Sequence, residues 1–279
     1  MEYEALTAQP LACLQPDRGN ERLVLAGQAL FNAPNVLGGQ AAKTGLSCAG
    51  CHVNGRDSPH FMMAGVSDRA GTADVTSSFF SPARANARFD PVLIPDLAQP
   101  GKISRNRAEN ALEPFIRALI VEEFSGHEPT PASLQALAAY VRAIQTCAEG
   151  DDRWVPFTLE DQLMLMRAAT LGAVDATAWD DGQTSQLLIG AARHQLGLIA
   201  QRYAGPSLTR ERDLLLSTSR ELQKLADGND APEQLRQAIF GWNVRFDKNV
   251  EQRLQRKKEE SLYNPRNVAA ALEALAIAP

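Results

Sequence analysis

Two regimes of hydrophobic patterning divide the chain. From about residue 158 onward, apolar residues recur every three or four positions over long, uninterrupted stretches, the spacing that keeps them on one face of a helix. Leu159, Leu163, Met166 and Val174 form one stripe, opened by Thr158 and Asp161 as a capping pair. Leu188, Ala192, Leu196, Ile199 and Tyr203 form a second, ended by Gly205-Pro206. A third carries Leu208, Leu215, Leu222 and Leu225. A fourth opens at Asp230-Ala231-Pro232-Glu233 and carries Leu235, Ile239, Trp242, Phe246 and Val250. It continues through Arg253, Arg256, Lys257 and Lys258 into Glu259 and Glu260, a solvated helix end, and Asn264-Pro265 starts a short last helix that ends near Ala276. Four amphipathic helices in succession predict a bundle. His194 lies opposite the second stripe and is expected on the surface.

Before residue 150 the periodicity is local. Asn20 is a candidate cap for a helix running to about Asn32, with Gly27 and Phe31 one turn apart on its face. Leu134, Leu137, Tyr140, Val141 and Ile144 repeat at helical spacing behind Thr130-Pro131. A shorter stripe, Phe115, Leu119 and Phe124, spans residues 108–124, where Pro114 marks a start or a kink. Residues 1–19, with Pro10, Pro16 and Gly19, read as an irregular arm. The stretch after residue 52, with Pro59, Gly65, Gly71, Pro82, Pro91, Pro95 and Pro100, is too broken for long helices; Ser, Thr and Asp at 67–78 suit the backbone needs of such a segment. The expected fold class is therefore all-α, with one domain over residues 1–149 and a helical bundle over residues 150–279.

Composition narrows the function. With 279 residues, 44% of them apolar, the chain has room for two cores. A net charge of −5 lacks the basic surplus of a nucleic-acid binder. No apolar run approaches the roughly 20 residues needed to span a bilayer. Neither charge nor composition declares an oligomeric state.

The chemistry sits between the first helix and the irregular stretch, in Cys48-Ala49-Gly50-Cys51-His52. Two thiols separated by two residues and followed at once by an imidazole form an attachment site for one covalent haem c. Each thiol adds to one porphyrin vinyl, and the histidine becomes an axial ligand of the iron. Zinc would need four ligands, and only Cys13, Cys147 and scattered histidines remain for it. A dithiol redox pair would call for a strand-helix-strand pattern around the motif, which is missing. Cofactor-binding residues are thus Cys48, Cys51 and His52, with Met62 and Met63 as further candidates because they are the only methionines in this half after the motif. Met63, beside Ala64-Gly65, is expected to complete the metal site with His52; Met62, His60 or an open sixth position are the alternatives, and His127 is expected on a solvent-exposed loop. Arg56 and Arg69 are either propionate partners or surface residues. Pro95 is placed to offer its carbonyl to the His52 ring nitrogen. Phe61, Phe79, Phe80 and Phe89 either wall the cofactor or fill the core.

Cys13 and Cys147 lie just outside the two ends of this segment, and a disulfide between them is expected, with two free buried thiols as the alternative. Met1-Glu2-Tyr3-Glu4 lacks the basic and then apolar run of a secretory leader. Haem ligation in bacteria takes place outside the cytoplasmic membrane, so a mature, exported chain is expected, periplasmic in a bacterium, its leader removed and replaced by a start methionine.

Gly27 with Phe31, CAGCH, and Leu137-Ala138-Ala139-Tyr140-Val141 stand in the order found in the cytochrome c family, over residues 20–147. In that family a glycine on the first helix lets the last helix cross closely, and aromatics from the two helices meet. Gly27-Gln28-Ala29-Leu30-Phe31, Gly45-Leu46-Ser47 before CAGCH, and Gly126 before the later helix resemble the bacterial dihaem peroxidase branch, whose members carry two such motifs where this chain has one. The resemblance implies an exported monohaem c-type cytochrome that passes single electrons to or from a redox protein partner. A peroxidase-like haem enzyme with an open distal site, and a haem-bearing assembly subunit of an oxidoreductase complex, are the alternatives.

Overall fold

A computed structural model describes residues 2–101, 103–148, 154–178, 181–228 and 231–277. The expected domain boundary at 149/150 and the proposed helix start at Asp230 lie outside the described residues. The protein is mostly helical, with two small two-stranded sheets. It divides into two compact units, one of residues 10–154 and one that joins residues 1–9 to residues 155–279. Among the described residues no helix is long and apolar enough to cross a membrane.

The chain opens with α1 (Glu2–Thr7) and β1 (Ala8–Pro10). In the unit of residues 10–154 follow α2 (Glu21–Phe31), the short helices α3 (Pro34–Leu37), α4 (Gly39–Lys43) and α5 (Cys48–Cys51), and the paired strands β2 (Thr72–Ala73) and β3 (Val92–Leu93). Then come α6 (Leu112–Ala118) and α7 (Pro131–Ala143). Asn20 precedes α2, but its side chain makes no capping hydrogen bond; only its carbonyl takes part, accepting from the Val24 N–H at 2.9 Å. Thr130 does cap α7, its hydroxyl accepting from the Ser133 N–H at 3.1 Å, with Pro131 in the first turn where a missing N–H costs nothing.

The core of this unit is the crossing of α2 and α7. A methyl group at Gly27 would fall 1.9 Å from the Ala136 carbonyl oxygen and 2.9 Å from Cβ of Tyr140, so only glycine admits this approach. Leu30, Leu137 and Tyr140 fill the crossing, and the Phe31 and Tyr140 rings meet at 5.0 Å between centroids. Pro114 falls in the first turn of α6, marking its start. The expected stripe is met in part, because Phe124 is buried and Leu119 half-buried while Phe115 is exposed, with Leu112 and Ile120 buried in addition. A π-type turn at Leu119–Glu123 follows α6 and carries the buried Ile120.

Cys13 and Cys147 form the expected disulfide, with Cα atoms 5.3 Å apart. Beside it, residues 13–15 run against residues 143–145. The Gln15 N–H donates to the Ala143 carbonyl at 2.8 Å and the Gln145 N–H to the Cys13 carbonyl at 2.9 Å.

In the other unit, β4 (Trp154–Pro156) pairs with β1 and leads into α8 (Leu159–Ala178), α9 (Gly182–Arg202), α10 (Thr209–Asp227) and α11 (Pro232–Arg245). A second widened turn at Phe246–Glu251, α12 (Gln252–Lys257) and α13 (Pro265–Ile277) complete it. The capping pair at α8 is reciprocal. The Thr158 hydroxyl accepts from the Asp161 N–H at 3.2 Å, and the Asp161 carboxylate accepts from the Thr158 N–H at 2.8 Å. The four stripes turn inward, with Leu163, Met166, Leu188, Ile199, Leu215, Leu222, Ile239 and Trp242 all buried. Residues 1–19 are not wholly irregular, since Glu2–Thr7 is a helix that packs on α13. His194 is half-buried rather than on the surface, and burial lowers its pKa. The reason is that α9 is flanked by both α8 and α10, so the face away from its main stripe is also partly covered.

Candidate functional site

The motif folds as a single helical turn. Ser47 enters in extended geometry, Cys48–Cys51 turn once, and the His52 N–H donates to the Cys48 carbonyl at 2.9 Å. Residues three apart share one helix face, so both thiols point the same way. Neither is in a disulfide. Burial pushes both up to about 12, aided at Cys48 by the neighbouring Cys51, and both are therefore S–H groups at neutral pH.

Past His52 the chain reverses through two left-handed residues, Asn54 at φ 53° and Gly55 at φ 77°. The Asn54 amide donates to the Pro10 carbonyl at 2.9 Å. A side chain at Gly55 would collide with Ile144 Cδ1 at 2.4 Å, so both backbone sign and space demand glycine. The turn offers the Gly55 carbonyl to the Leu97 N–H at 3.1 Å, and this lays residues 94–97 beside the motif. Pro95 then stands where the sequence places it, its carbonyl oxygen 3.0 Å from His52 Nδ1. A carbonyl only accepts, so Nδ1 carries the proton and Nε2 keeps its lone pair. Burial holds the His52 pKa down to about 4, against the upward pull of the Pro95 carbonyl and of Asp96. The imidazole is neutral at pH 7 and its Nε2 is a ready ligand.

Tyr140 borders the same place. Its ring packs on Phe31, whose own centroid is 6.4 Å from that of His52, and its hydroxyl is buried without a hydrogen-bond partner. Burial first, and then the nearby Cys48, raise its pKa above the usual phenol value. A buried hydroxyl without a partner, near the free Cys48 thiol, is the kind of polar loose end that a bound group resolves.

The other candidates are placed variously. Met62 is 60% exposed. Met63 is half-buried in a turn, its N–H donating to the Ser67 hydroxyl at 3.1 Å and its carbonyl accepting from the Val66 and Ser67 N–H groups. His60 packs edge-on against Trp154 at 5.1 Å. His127 is exposed, as expected from its loop. Phe80 belongs to the core against Phe124, whereas Phe79 and Phe89 are exposed and Phe61 is half-buried. Arg69 is a surface residue. Arg56 is engaged within the chain, because its guanidinium grips the Asp96 carboxylate, with Nε 3.0 and 2.9 Å from the two oxygens and Nη2 at 2.9 Å.

Asp96 and the Tyr140 hydroxyl are the site features that motif reading misses. A local signal existed for the first, since Asp following Pro is a turn former, and its carboxylate does accept from the Ala98 N–H at 2.8 Å. Nothing local pairs it with a residue 40 positions earlier. Among the described residues no group of three or more His, Cys, Asp or Glu side chains stands together to hold a bare metal ion. Comparison with protein-family models, curated proteins and solved structures finds no match to this chain.

Proposed function

We propose that this protein is an exported monohaem c-type cytochrome, with a cytochrome c-like unit over residues 10–154, that passes single electrons to or from a redox protein partner. The observation that carries this reading is the hydrogen bond from His52 Nδ1 to the Pro95 carbonyl, which leaves Nε2 as the free donor one residue after a turn that presents two protonated thiols on one face. Cys48 and Cys51 would hold the porphyrin through thioethers, each thiol hydrogen ending on a vinyl carbon so that nothing leaves. His52 and Met63 would ligate the iron. The group would supply one-electron iron chemistry when bound. The chain supplies the fixed tautomer of His52, the apolar crossing of Gly27, Phe31 and Tyr140, and a buried hydroxyl at its edge. Export agrees with the Cys13–Cys147 disulfide, since such bonds persist in oxidising compartments. Val92 and Leu93, on the strand leading into Pro95, are 65% and 66% exposed and would suit a transient protein contact.

The test is expression with an export leader alongside a haem-ligation system. The purified protein should gain the mass of one haem, and Cys48→Ala with Cys51→Ala should lose it. The ferric spectrum should be low-spin with a sulfur-ligand band that disappears in Met63→Ala and persists in Met62→Ala. A high-spin ferric form that binds cyanide would favour the peroxidase-like alternative, and a mass equal to that of the bare polypeptide would end the haem reading.

A further inference from the structure

The His52 ring is held by a carbonyl whose own position needs an explanation. Pro95 has no N–H, so its peptide is fixed only by what its neighbours bind. On one side, the Ile94 N–H donates to the Gly71 carbonyl at 3.0 Å; on the other, the Leu97 N–H donates to Gly55 at 3.1 Å. The residue between is Asp96. Its carboxylate accepts from the Ala98 N–H and is clasped by three contacts from Arg56, which is four residues past His52. The Arg56–Asp96 pair therefore ties together the same two segments that the imidazole–carbonyl bond ties, one residue past Pro95 on one side and four past His52 on the other. The pair is well shielded, with side-chain exposures of 11% and 18%, and Arg56 is steadied in turn by an Nη1 contact of 3.7 Å to Cys147 Sγ. A fork of this kind fixes geometry as well as charge.

We propose that Arg56 and Asp96 are positioning residues for the iron ligand, locking the Pro95 carbonyl on His52 Nδ1 and thereby setting the ring's orientation and donor strength. This rests on the haem reading above. A carbonyl accepting from Nδ1–H makes Nε2 a stronger donor, which favours the ferric state and lowers the reduction potential. Loosening the clasp weakens that bond and raises the potential.

Two variants separate positioning from bare charge. Asp96→Asn removes a negative charge near the iron ligand, and Arg56→Gln removes a positive one. Acting only through charge, they would shift the potential of the haem-loaded protein in opposite directions. Acting through the carbonyl, both shift it upward, and Arg56→Lys, which keeps the charge but loses the fork, shifts it upward as well. Opposite shifts, or none in any of the three, overturn the proposal. A second measurement needs no haem. Exchange of the His52 ring proton with solvent, followed by NMR in the haem-free chain, should be at least tenfold faster in Asp96→Asn and Arg56→Lys than in the parent; equal rates overturn the proposal. Should the parent carry no haem by mass while exchange quickens as stated, the haem reading falls and the positioning of the ring stands.

Discussion

At Gly27 a single missing methyl group decides whether two helices can meet. The Ala136 carbonyl is part of the α7 backbone and cannot swing aside as a long side chain would. Gly27→Ala should therefore destabilise the unit of residues 10–154 by about 3 kcal/mol, read as a lower midpoint in urea unfolding. The same residue shows what the sequence makes legible. Gly27, Phe31 and Tyr140 were readable only through the resemblance carried by their order around CAGCH, since helical spacing alone implies no more than amphipathic packing. The Pro95 carbonyl was a candidate partner for the His52 ring nitrogen, and the 3.0 Å contact bears it out. The Arg56–Asp96 clasp was not readable, since it joins two irregular segments that carry no periodicity to align them.

Elements follow the same division. In α8 to α11 the apolar stripe is long enough to outweigh local propensity, and the inward residues are those the spacing selects. Short helices such as α1, α3 and α4 run for four to six residues, too few for a stripe to declare itself. The helix α6, with seven residues, is nearly as short, and there the stripe picks out the buried Phe124 beyond its end but also the exposed Phe115. What fastens α6 to α7 is a two-pronged ion pair, Arg142 to Glu113 at 2.7 and 2.8 Å. Arg142 holds the Glu113 pKa below the ordinary carboxylate value. A depressed acid contributes stability that is complete above its unfolded pKa and is lost as the pH falls through the folded one. The parent should thus lose stability on acidification below about pH 4.5, and Glu113→Gln should flatten that part of the curve. A thermal-melt series from pH 6 to pH 3 on both proteins measures the difference, and parallel curves would deny the pair this role.

At the scale of the molecule, the disulfide and the two-unit division set the terms. Cys13–Cys147 joins residues 134 positions apart and encloses the motif, both crossing helices and the clasp. Closing so long a loop restricts the unfolded chain by about 4–5 kcal/mol in the chain-entropy picture. Cys13→Ser with Cys147→Ser should lower the unfolding midpoint accordingly, and adding reductant should bring the parent to the same midpoint. No shift in either case would mean that the bond restrains little. Patterning could find the helices of each unit, but not that residues 1–9 belong with residues 155–279, because that assignment depends on contacts across nearly the full length of the chain.

That discontinuity orders events during synthesis. The helix α1 has its packing partner, α13, far later in the chain, so it stays without that partner until the later segment has been made. Residues 10–154 are complete before then and can fold ahead of it as a unit of their own.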